Sequence, residues 1–419
     1  MDKASGSGAI SPEGYSRGAA TVGRSQGGVQ GGVQGGPQGG ARGGPRGDAV
    51  ARPSLPSAAD GLLAALDLGT NNCRLLIAKA AADCAEADGP LSDPGFTVID
   101  AFSRPVRLGE DIERTGSLSR SAQDRAIKAL RICASKLRQR RVAASRIVAT
   151  EACRRAVNGR AFVRRVLQET GLSMRVISAE EEARLAVAGC APLVDPQAEQ
   201  LLVVDIGGGS TELIWVDLSH APASRRRALV RALAPLQPGR DCEHARAAAA
   251  HVCDWVSVPL GVSTLRDRFA GWTDDAARFE AMGAAFREAL SGFRPLLPCA
   301  AGKLGGPLQI IGVSGTATTY GALHLGLRVY DRGQVDGLWL PRDAAEAITA
   351  RLLTLGRDGR AGCAGIGHGR ADLVLAGAAI MMAVMRLWPS GAFRIADRGL
   401  REGMLYGLLH QRRLAHRED

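Results

Sequence analysis

The sequence predicts an α/β protein made of two similar halves, and three observations lead to this prediction. Residues 61–80 (GLLAALDLGTNNCRLLIAKA) and 201–216 (LLVVDIGGGSTELIWV) share one plan, in which a glycine turn separates two apolar runs. Strand and helix patterns alternate between these two stretches, as they do in α/β proteins. The chain has 419 residues, which is more than one ordinary hydrophobic core holds, so two domains are expected.

Each repeated stretch is predicted to form a β-hairpin whose first strand ends in an acid. The acids are Asp67 and Asp205, and apolar runs that flank a glycine-rich turn are strand signals. Glycine lets the backbone approach a ligand, and successive N–H groups in such a turn form an anion nest. A carboxylate beside that nest would repel phosphate unless a divalent metal lay between them, so the acids imply Mg²⁺. Two such turns predict one phosphate site between the halves.

The remaining patterns follow in chain order. Between the hairpins the sequence predicts an extended stretch at 96–102, helices at 119–140, 161–170 and 180–188, and strands at 147–150 and 174–177. The stretch 191–200, which contains proline and acids, is the expected domain boundary. After the second hairpin, a basic variable insertion is expected at 218–255, an apolar strand at 308–311 and a buried helix at 371–387.

The first 60 residues differ from the rest of the chain. They hold 16 of the 53 glycines, include the tandem GGVQGGVQGG, and contain almost no large apolar side chain. Such a segment buries too little surface to offset its ordering entropy, so we predict a disordered tail at 1–60. The predicted domains are then 61–195 and 196–419.

Composition narrows the function classes. Hydrophobic residues make up 46% of the chain, but no apolar stretch is long enough to span a bilayer, and the N-terminus lacks the apolar region of a signal peptide. The nine cysteines are scattered without a Cys-x-x-Cys pair, and their odd number argues against a disulfide framework. We therefore expect a cytoplasmic protein without a membrane partner. Only 4% of residues are aromatic, which disfavours nucleic-acid binding because base-stacking platforms would be scarce.

One group of Cys and His residues has a spacing that loosely resembles a zinc site. Cys242, His244, His251 and Cys253 have the spacing Cys-x-His-x6-His-x-Cys. The residues between them read as a helix, and the spacing matches no standard zinc finger. We expect no metal at this place.

The ordered motifs of the chain resemble the exopolyphosphatase and guanosine pentaphosphate phosphohydrolase family of the actin-like ATPase superfamily. The resemblance covers residues 62–409 and rests on LDLGTNNCRLLI, VRLGE, ATEACRRAVN, ISAEEEARLAVAG, VVDIGGGSTELI, VPLGVSTL, GVSGTATT, RADLVLAGA and ADRGLREGML. It implies two ribonuclease-H-like domains that flank an interdomain cleft, in the short two-domain form of the family. It also implies a hydrolase that removes terminal phosphate from inorganic polyphosphate or guanosine pentaphosphate.

For the first hairpin, the resemblance implies that Gly69, Thr70 and Asn71 bind phosphate oxygens and that Arg74 is a charged anchor for the same anion. Arginine suits this role because its guanidinium binds phosphate in a bidentate manner. Asn72 departs from the family, which usually has serine there. Asp67 is expected to line the cleft.

For the second hairpin, the resemblance implies that Asp205 and Glu212 hold Mg²⁺ (or Mn²⁺), directly or through water. The turn that follows Asp205 would cradle the attacked phosphoryl group, and its predicted phosphate-binding residues are Gly207, Gly208, Gly209, Ser210 and Thr211. Three consecutive glycines between strands cost backbone entropy, so a purely structural role would need its own justification.

The resemblance places the catalytic base at Glu182, the glutamate directly before Ala-Arg. A carboxylate can orient and deprotonate an attacking water if its pKa suits the operating pH. Acids in the first turn of a helix also favour its positive dipole end, so capping alone is the alternative role. Three successive glutamates exceed what one task needs, and at least two of them are expected to face solvent.

Further cleft residues are implied by the remaining motifs. Arg154 follows a predicted strand and is expected to bind phosphate, while Glu151 is either a cleft acid or a helix-start residue. Gly315 and Thr316 lie in a predicted glycine turn that would line the far side of the cleft. A structural role fits these two residues equally well.

Two function classes stay open at this stage. The first is the hydrolase, which is favoured because Glu182, Asp205 and Glu212 are all present. The second is a binding module of the same fold that senses polyphosphate or nucleotide without turnover. A kinase of the same superfamily is less favoured, because a glutamate stands where a water-activating base is expected, and no P-loop occurs. A homodimer is an open expectation.

Overall fold

The structure is a computed structural model, and it describes residues 61–81, 95–234, 247–293, 307–366 and 370–418. The tail predicted at 1–60 lies outside the described residues. Within them, the chain forms two β-sheets with helices packed against both, which confirms the predicted α/β class.

The first sheet contains the first hairpin. Its strands are β1 (Leu62–Leu68), β2 (Asn72–Ala80), β3 (Phe96–Pro105), β4 (Ala144–Ala149) and β5 (Arg175–Val176). Their order across the sheet is β3-β2-β1-β4-β5; β1 to β3 are antiparallel, and β4 and β5 run parallel to β1. The helices of this half are α1 (Ile112–Thr115), α2 (Arg120–Gln139), α3 (Glu151–Arg155), α4 (Gly159–Thr170) and α5 (Ala179–Gly189).

The second sheet contains the second hairpin. Its strands are β6 (Gln200–Ile206), β7 (Thr211–Asp217), β8 (Val252–Val258), β9 (Leu308–Val313), β10 (Trp339–Pro341) and β11 (Ala392–Ala396). Their order is β10-β11-β9-β6-β7-β8. Apart from the short edge strand β10, the order β8-β7-β6-β9-β11 repeats that of the first sheet. The described part of the chain therefore has the predicted duplication.

The helices of the second half follow its strands along the chain. They are α6 (Arg226–Ala232), α7 (Val262–Arg268), α8 (Asp275–Ala289), α9 (Ser314–His324), α10 (Arg332–Val335), α11 (Arg342–Gly362), α12 (Ala371–Leu387) and α13 (Leu400–Glu418). The predicted helix at 371–387 is confirmed as α12, and it is buried along nearly its whole length. Helix α11 contains a kink at Gly356.

Apolar side chains form three layers. One cluster packs α2 and α4 on the outer face of the first sheet, as at Ile127 and Phe162. A second lies between the two sheets and contains α5 and α13, as at Leu185 and Met404. The third packs α8 and α12 on the outer face of the second sheet, as at Met381. The two sheets therefore share a core, which fixes one hairpin relative to the other.

The last helix crosses back to the first half. The predicted division at 195/196 separates the two sheets, but α13, which the prediction assigned to the second half, packs on β1 and β4 of the first. Glycines allow this packing: a Cβ on Gly403 would lie 2.0 Å from the Leu185 carbonyl oxygen, and one on Gly189 would lie 1.9 Å from that of Gly399. Helices α5 and α13 are thus in backbone contact where each begins or ends.

The predicted insertion at 218–255 is only partly described, and its described parts belong to the fold. Helix α6 contributes Val230 to the core between the sheets, and β8 is the third strand of the second sheet. The basic residues made this segment look like an exposed insertion. In the structure, however, Arg226 is buried, and its guanidinium donates hydrogen bonds to the backbone carbonyls of Leu218 and Ala221. Among the described helices, none combines the length and apolar character needed to cross a bilayer.

Candidate active site

A cavity of about 640 Å³ lies where the two hairpin turns meet. Both sheets contribute to it, because the carboxyl ends of their parallel strands point to the same place. In the first sheet Leu68 of β1 is level with Ala149 of β4, and in the second Asp205 of β6 is level with Val313 of β9. The predicted site residues that line the cavity are Asp67, Gly69, Thr70, Asn71, Arg74, Glu151, Glu182, Asp205, Gly207, Gly208, Gly209, Ser210, Gly315 and Thr316.

The turn of the first hairpin is closed by its own backbone. The N–H of Gly69 donates to the carbonyl of Asn72 at 2.9 Å, so this donor is already used within the turn. The amide oxygen of Asn71 accepts a hydrogen bond from the Ser263 hydroxyl at 3.0 Å, which joins the first hairpin to α7 of the other half. These contacts make the turn a wall of the cavity, with Arg74 beside it on β2.

The turn of the second hairpin has unused backbone donors of the kind that form an anion nest. Its carbonyls face α7: Gly207 accepts from the N–H of Val262 at 3.0 Å and Gly208 from that of Ser263 at 2.8 Å. Within the described residues, the N–H groups from Gly207 to Ser210 donate to no backbone carbonyl. Since the carbonyls are held on one side, the N–H groups are left available to a ligand in the cavity.

The glycines of this turn also allow the halves to approach each other. A Cβ on Gly208 would lie 2.6 Å from the amide nitrogen of Asn71, and one on Gly209 would lie 2.9 Å from the Thr70 hydroxyl and 3.1 Å from Glu151 Cγ. Any larger residue at these positions would push the first turn and α3 away. Gly208 and Gly209 therefore serve both the nest and the closure of the cleft.

Asp205 and Glu212 are opposite one another in the β6–β7 pair, so their side chains share one face of the sheet. Burial raises the pKa of Asp205 to about 7, with the charge of Glu212 acting in the same direction and Arg74 opposing it. One oxygen of Glu212 accepts hydrogen bonds from Ser210 at 2.6 Å and Ser257 at 2.8 Å. Burial raises the pKa of Glu212 as well.

Two predicted residues of this hairpin do not line the cavity. Thr211 is fully buried, and its hydroxyl donates to the Leu260 carbonyl at 2.8 Å. Its side chain thus anchors the turn from behind, and the expected phosphate contact from it is not supported. Glu212 is buried, and the hydroxyls of Ser210 and Ser257 fix its carboxylate.

Asp67 has the same position in the first hairpin that Asp205 has in the second. Its Oδ1 is buried and has no hydrogen-bond partner among the described residues, and burial raises its pKa despite the nearby charges of Arg74 and Arg401. An unpartnered carboxylate oxygen beside Asp205 is a favourable contact for a divalent cation. In the described residues no three His, Cys, Asp or Glu side chains form a metal cluster, so water and phosphate would supply the remaining ligands.

Glu182 lies in the first turn of α5, which is capped by the Ser178 hydroxyl. Arg154 holds its Oε2 at 2.6 Å and also binds Glu151 Oε2 at 2.8 Å. Burial raises the pKa of Glu182 well above its usual value, the charge of Glu212 adds to this, and Arg154 opposes it. Arg154 itself is absent from the cavity lining; it positions two acids from behind, and the predicted direct phosphate contact is not seen in this arrangement.

The three successive glutamates have three different environments. Glu180 is exposed, whereas Glu181 pairs with Arg146 and Arg175. The expectation that at least two of the three face solvent is therefore wrong. The expectation was wrong because the arginine partners of Glu181 lie on β4 and β5, and these strands are close to Glu181 only in the folded protein.

The predicted glycine turn near Gly315 is instead a direct passage from β9 into α9. Ser314 adopts a positive φ of 78°, and its hydroxyl donates to the Ile206 carbonyl. Gly315 and Thr316 occupy the first turn of α9 at the cavity wall.

The Cys and His residues with zinc-like spacing are only partly described. Cys242 and His244 lie outside the described residues, while His251 contacts the Asp217 carbonyl through Nδ1 at 3.0 Å.

Comparison with known proteins assigns this architecture to a family. A model of the Ppx/GppA phosphatase family matches residues 89–412. The chain belongs to this family. An exopolyphosphatase-like protein of known structure is 29% identical with a TM-score of 0.66, covering 84% of this chain and 99% of that one. The PPX-GPPA enzyme of Aquifex aeolicus is 25% identical with a TM-score of 0.61, covering 83% and 99%. An exopolyphosphatase of Cytophaga hutchinsonii, at 23% identity and a TM-score of 0.66, covers 84% and 98% and supports the fold.

Membership in the Ppx/GppA family confirms the resemblance seen in the motifs, and with it the actin-like, two-domain α/β fold. Several cavity residues were nevertheless missed as site residues, namely Arg107, Arg266, Tyr330, Arg370, Arg398 and Arg401. Three of the motifs contain arginines of this set: VRLGE, RADLVLAGA and ADRGLREGML. The presence of these arginines within the motifs was the available signal.

Proposed function

We propose that the chain hydrolyses phosphoanhydride bonds and releases the terminal phosphate of inorganic polyphosphate or guanosine pentaphosphate. The observation that supports this most is the nest of N–H groups from Gly207 to Ser210, which shares one cavity with the carboxylate of Glu182. The nest supplies donors to a phosphoryl group, and the carboxylate supplies a base for water. A hydrolase needs both, whereas a binding module needs only the first.

In the proposed mechanism, the nest binds the oxygens of the terminal phosphoryl group. Glu182 orients a water on the opposite side of that group and takes its proton as the water attacks, and the bond to the next phosphate breaks. Oε2 of Glu182 is held by Arg154, while Oε1 has no hydrogen-bond partner among the described residues and is free for the water. Burial favours the protonated acid, and the contact from Arg154 opposes this by favouring the ionised base.

We propose Mg²⁺, or Mn²⁺, as the cofactor. Asp205 and Glu212 are the proposed ligands, directly or through water, and their hard carboxylate oxygens suit these ions better than zinc. When bound, the ion would offset the repulsion between these carboxylates and the substrate and polarise the phosphoryl oxygens. Mg²⁺ commonly uses one or two carboxylates and completes its shell with water and phosphate, which fits this set of side chains.

The test is an assay of phosphate release by the purified full chain. We expect release from inorganic polyphosphate, from guanosine pentaphosphate or from both in the presence of Mg²⁺, and none after chelation with EDTA. The two substrates end in the same phosphoanhydride, so their relative rates decide the preference. Saturable binding of both with no release under any metal condition would reject the hydrolase and favour the alternative, a non-catalytic polyphosphate or nucleotide sensor.

A further inference from the structure

Two arginines that line the cavity, Arg74 and Arg401, have no hydrogen-bond or ion-pair partner among the described residues. By contrast, Arg154 and Arg398, which also lie at the site, are both bound to carboxylates. A partly buried guanidinium without an acceptor is costly, because its donors have lost water and gained nothing.

The backbone at both arginines is fixed by the fold. Arg74 is opposite Asp67 in the β1–β2 pair, so the two side chains share one face of the first sheet, yet they form no ion pair within 4 Å. Arg401 is the second residue of α13. The start of that helix is fixed by the contact of Gly403 with the Leu185 backbone, where a Cβ would lie 2.0 Å from the carbonyl oxygen.

The acid next to Arg401 in sequence acts on it through its charge but forms no ion pair with it within the described residues. Glu402 is buried and accepts hydrogen bonds from Arg332 at 2.7 Å and from the N–H of Gly399 at 2.9 Å. Burial lowers the pKa of Arg401; the charge of Glu402 opposes this, and the like charge of Arg74 adds to it. Two guanidiniums that repel each other at the wall of an open cavity form an environment suited to a multiply charged anion.

We propose that Arg74 and Arg401 together bind the phosphate group next to the one that is cleaved, and that Arg401 is a substrate-binding residue. This inference rests on the proposed function. The nest and Glu182 already account for the terminal phosphoryl group, so a second anion site in the same cavity fits the leaving group. That phosphate gains negative charge as the bond breaks, and two fixed guanidiniums stabilise it. The site therefore selects linked phosphates over a single phosphate.

The test compares binding of inorganic pyrophosphate and orthophosphate by isothermal titration calorimetry to the full-length protein in the presence of Mg²⁺. The variants are Arg401→Gln, Arg401→Lys and, as a charge-matched control, Arg164→Gln; Arg164 is exposed on α4 and outside the cavity. We expect Arg401→Gln to weaken pyrophosphate binding by about 10- to 100-fold, since a charge-assisted hydrogen bond is lost. Orthophosphate binding should change by less than about threefold, Arg401→Lys should restore part of the pyrophosphate affinity, and Arg164→Gln should change neither.

Thermal unfolding separates this role from a structural one. Glu402 keeps its hydrogen bonds to Arg332 and to the Gly399 N–H when Arg401 is replaced, so the melting temperature of Arg401→Gln should fall only slightly. Unchanged pyrophosphate affinity in Arg401→Gln would overturn the inference. A strongly lowered melting temperature that Arg401→Lys restores without restoring pyrophosphate affinity would overturn it too, because Arg401 would then be a structural counter-ion. If the wild type binds pyrophosphate through Arg401 but releases no phosphate from either proposed substrate, the proposed function fails and this inference stands.

Discussion

Replacing Glu182 by glutamine is the most direct test of the proposed chemistry. The change preserves shape and leaves an oxygen for the contact with Arg154, but it removes the proton acceptor. A positioned general base contributes about 10²- to 10⁴-fold to the rate, which corresponds to about 3–5 kcal/mol of activation free energy. We therefore expect Glu182→Gln to lower kcat by that factor.

Substrate binding should change little, because the nest and the arginines make the phosphate contacts. The effect on folding should also be small. Arg154 loses one charged contact to Glu182 but keeps two to Glu151, at 2.8 Å and 3.1 Å. At the same time the variant no longer buries a carboxylate close to Glu212 and Asp67. These effects have opposite signs, so we expect a net change in unfolding free energy of less than about 1 kcal/mol.

The chain offers two neighbouring glutamates as matched controls. Glu180→Gln changes the same charge on the same helix at an exposed position and should leave both kcat and stability as in the wild type. Glu181→Gln breaks the bridge between Arg146 and Arg175 and should cost stability, by up to about 3–5 kcal/mol, while the folded enzyme keeps its kcat. The assay is phosphate release at saturating Mg²⁺ and substrate, together with calorimetric binding. Glu182→Gln turnover within about threefold of the wild type would refute the assignment, with Glu151 as the next candidate base.

The remaining predictions concern the metal, the packing and the pH dependence. Asp205→Ala should lower turnover at least about 100-fold and reduce activation by added Mg²⁺, with unchanged or higher thermal stability; unfolding of this variant would make Asp205 a structural turn residue. Gly403→Ala should cost about 1–3 kcal/mol in urea unfolding because its Cβ would clash with the Leu185 carbonyl, whereas Gly362→Ala, with open space around its Cβ, should not. Burial raises the pKa of Glu181, but its two arginine partners outweigh this, so its pKa lies below the ordinary 4.5. The stability that ionised Glu181 provides is fully present above pH 4.5 and is lost as the pH falls through the lowered pKa of the folded protein. The unfolding free energy of Glu181→Gln, measured at decreasing pH, should not show this decrease.

Much of the site was predictable because its signals are local. An apolar run, an acid and a glycine turn dictate a hairpin by short-range physics, and two such segments predicted both the duplication and the facing turns. The start of α5 is also a local signal, because a capping serine, Ser178, is followed by acids in the first turn of the helix. This start determines the position of Glu182. Local patterns of this kind need no knowledge of what packs against them.

Contacts between distant segments were decided only by the tertiary structure. The sequence order placed α13 with the second half, but its glycines and apolar face pack on α5 and the first sheet, which brings Arg401 to the cavity. Thr211 lies in the predicted turn, yet its hydroxyl is used by the Leu260 carbonyl 49 residues away.

The sequence by itself therefore determined the duplicated α/β fold, the two glycine turns, the acids beside them and the family. It could not determine which charges remain unpaired, since that depends on partners far along the chain. Arg154 and Arg401 have the same charge and both lie beside the cavity, but one is bound to two glutamates and the other to no described residue. The difference arises because an ion pair requires two groups within about 4 Å, a distance that is set by the packing of helices and sheets.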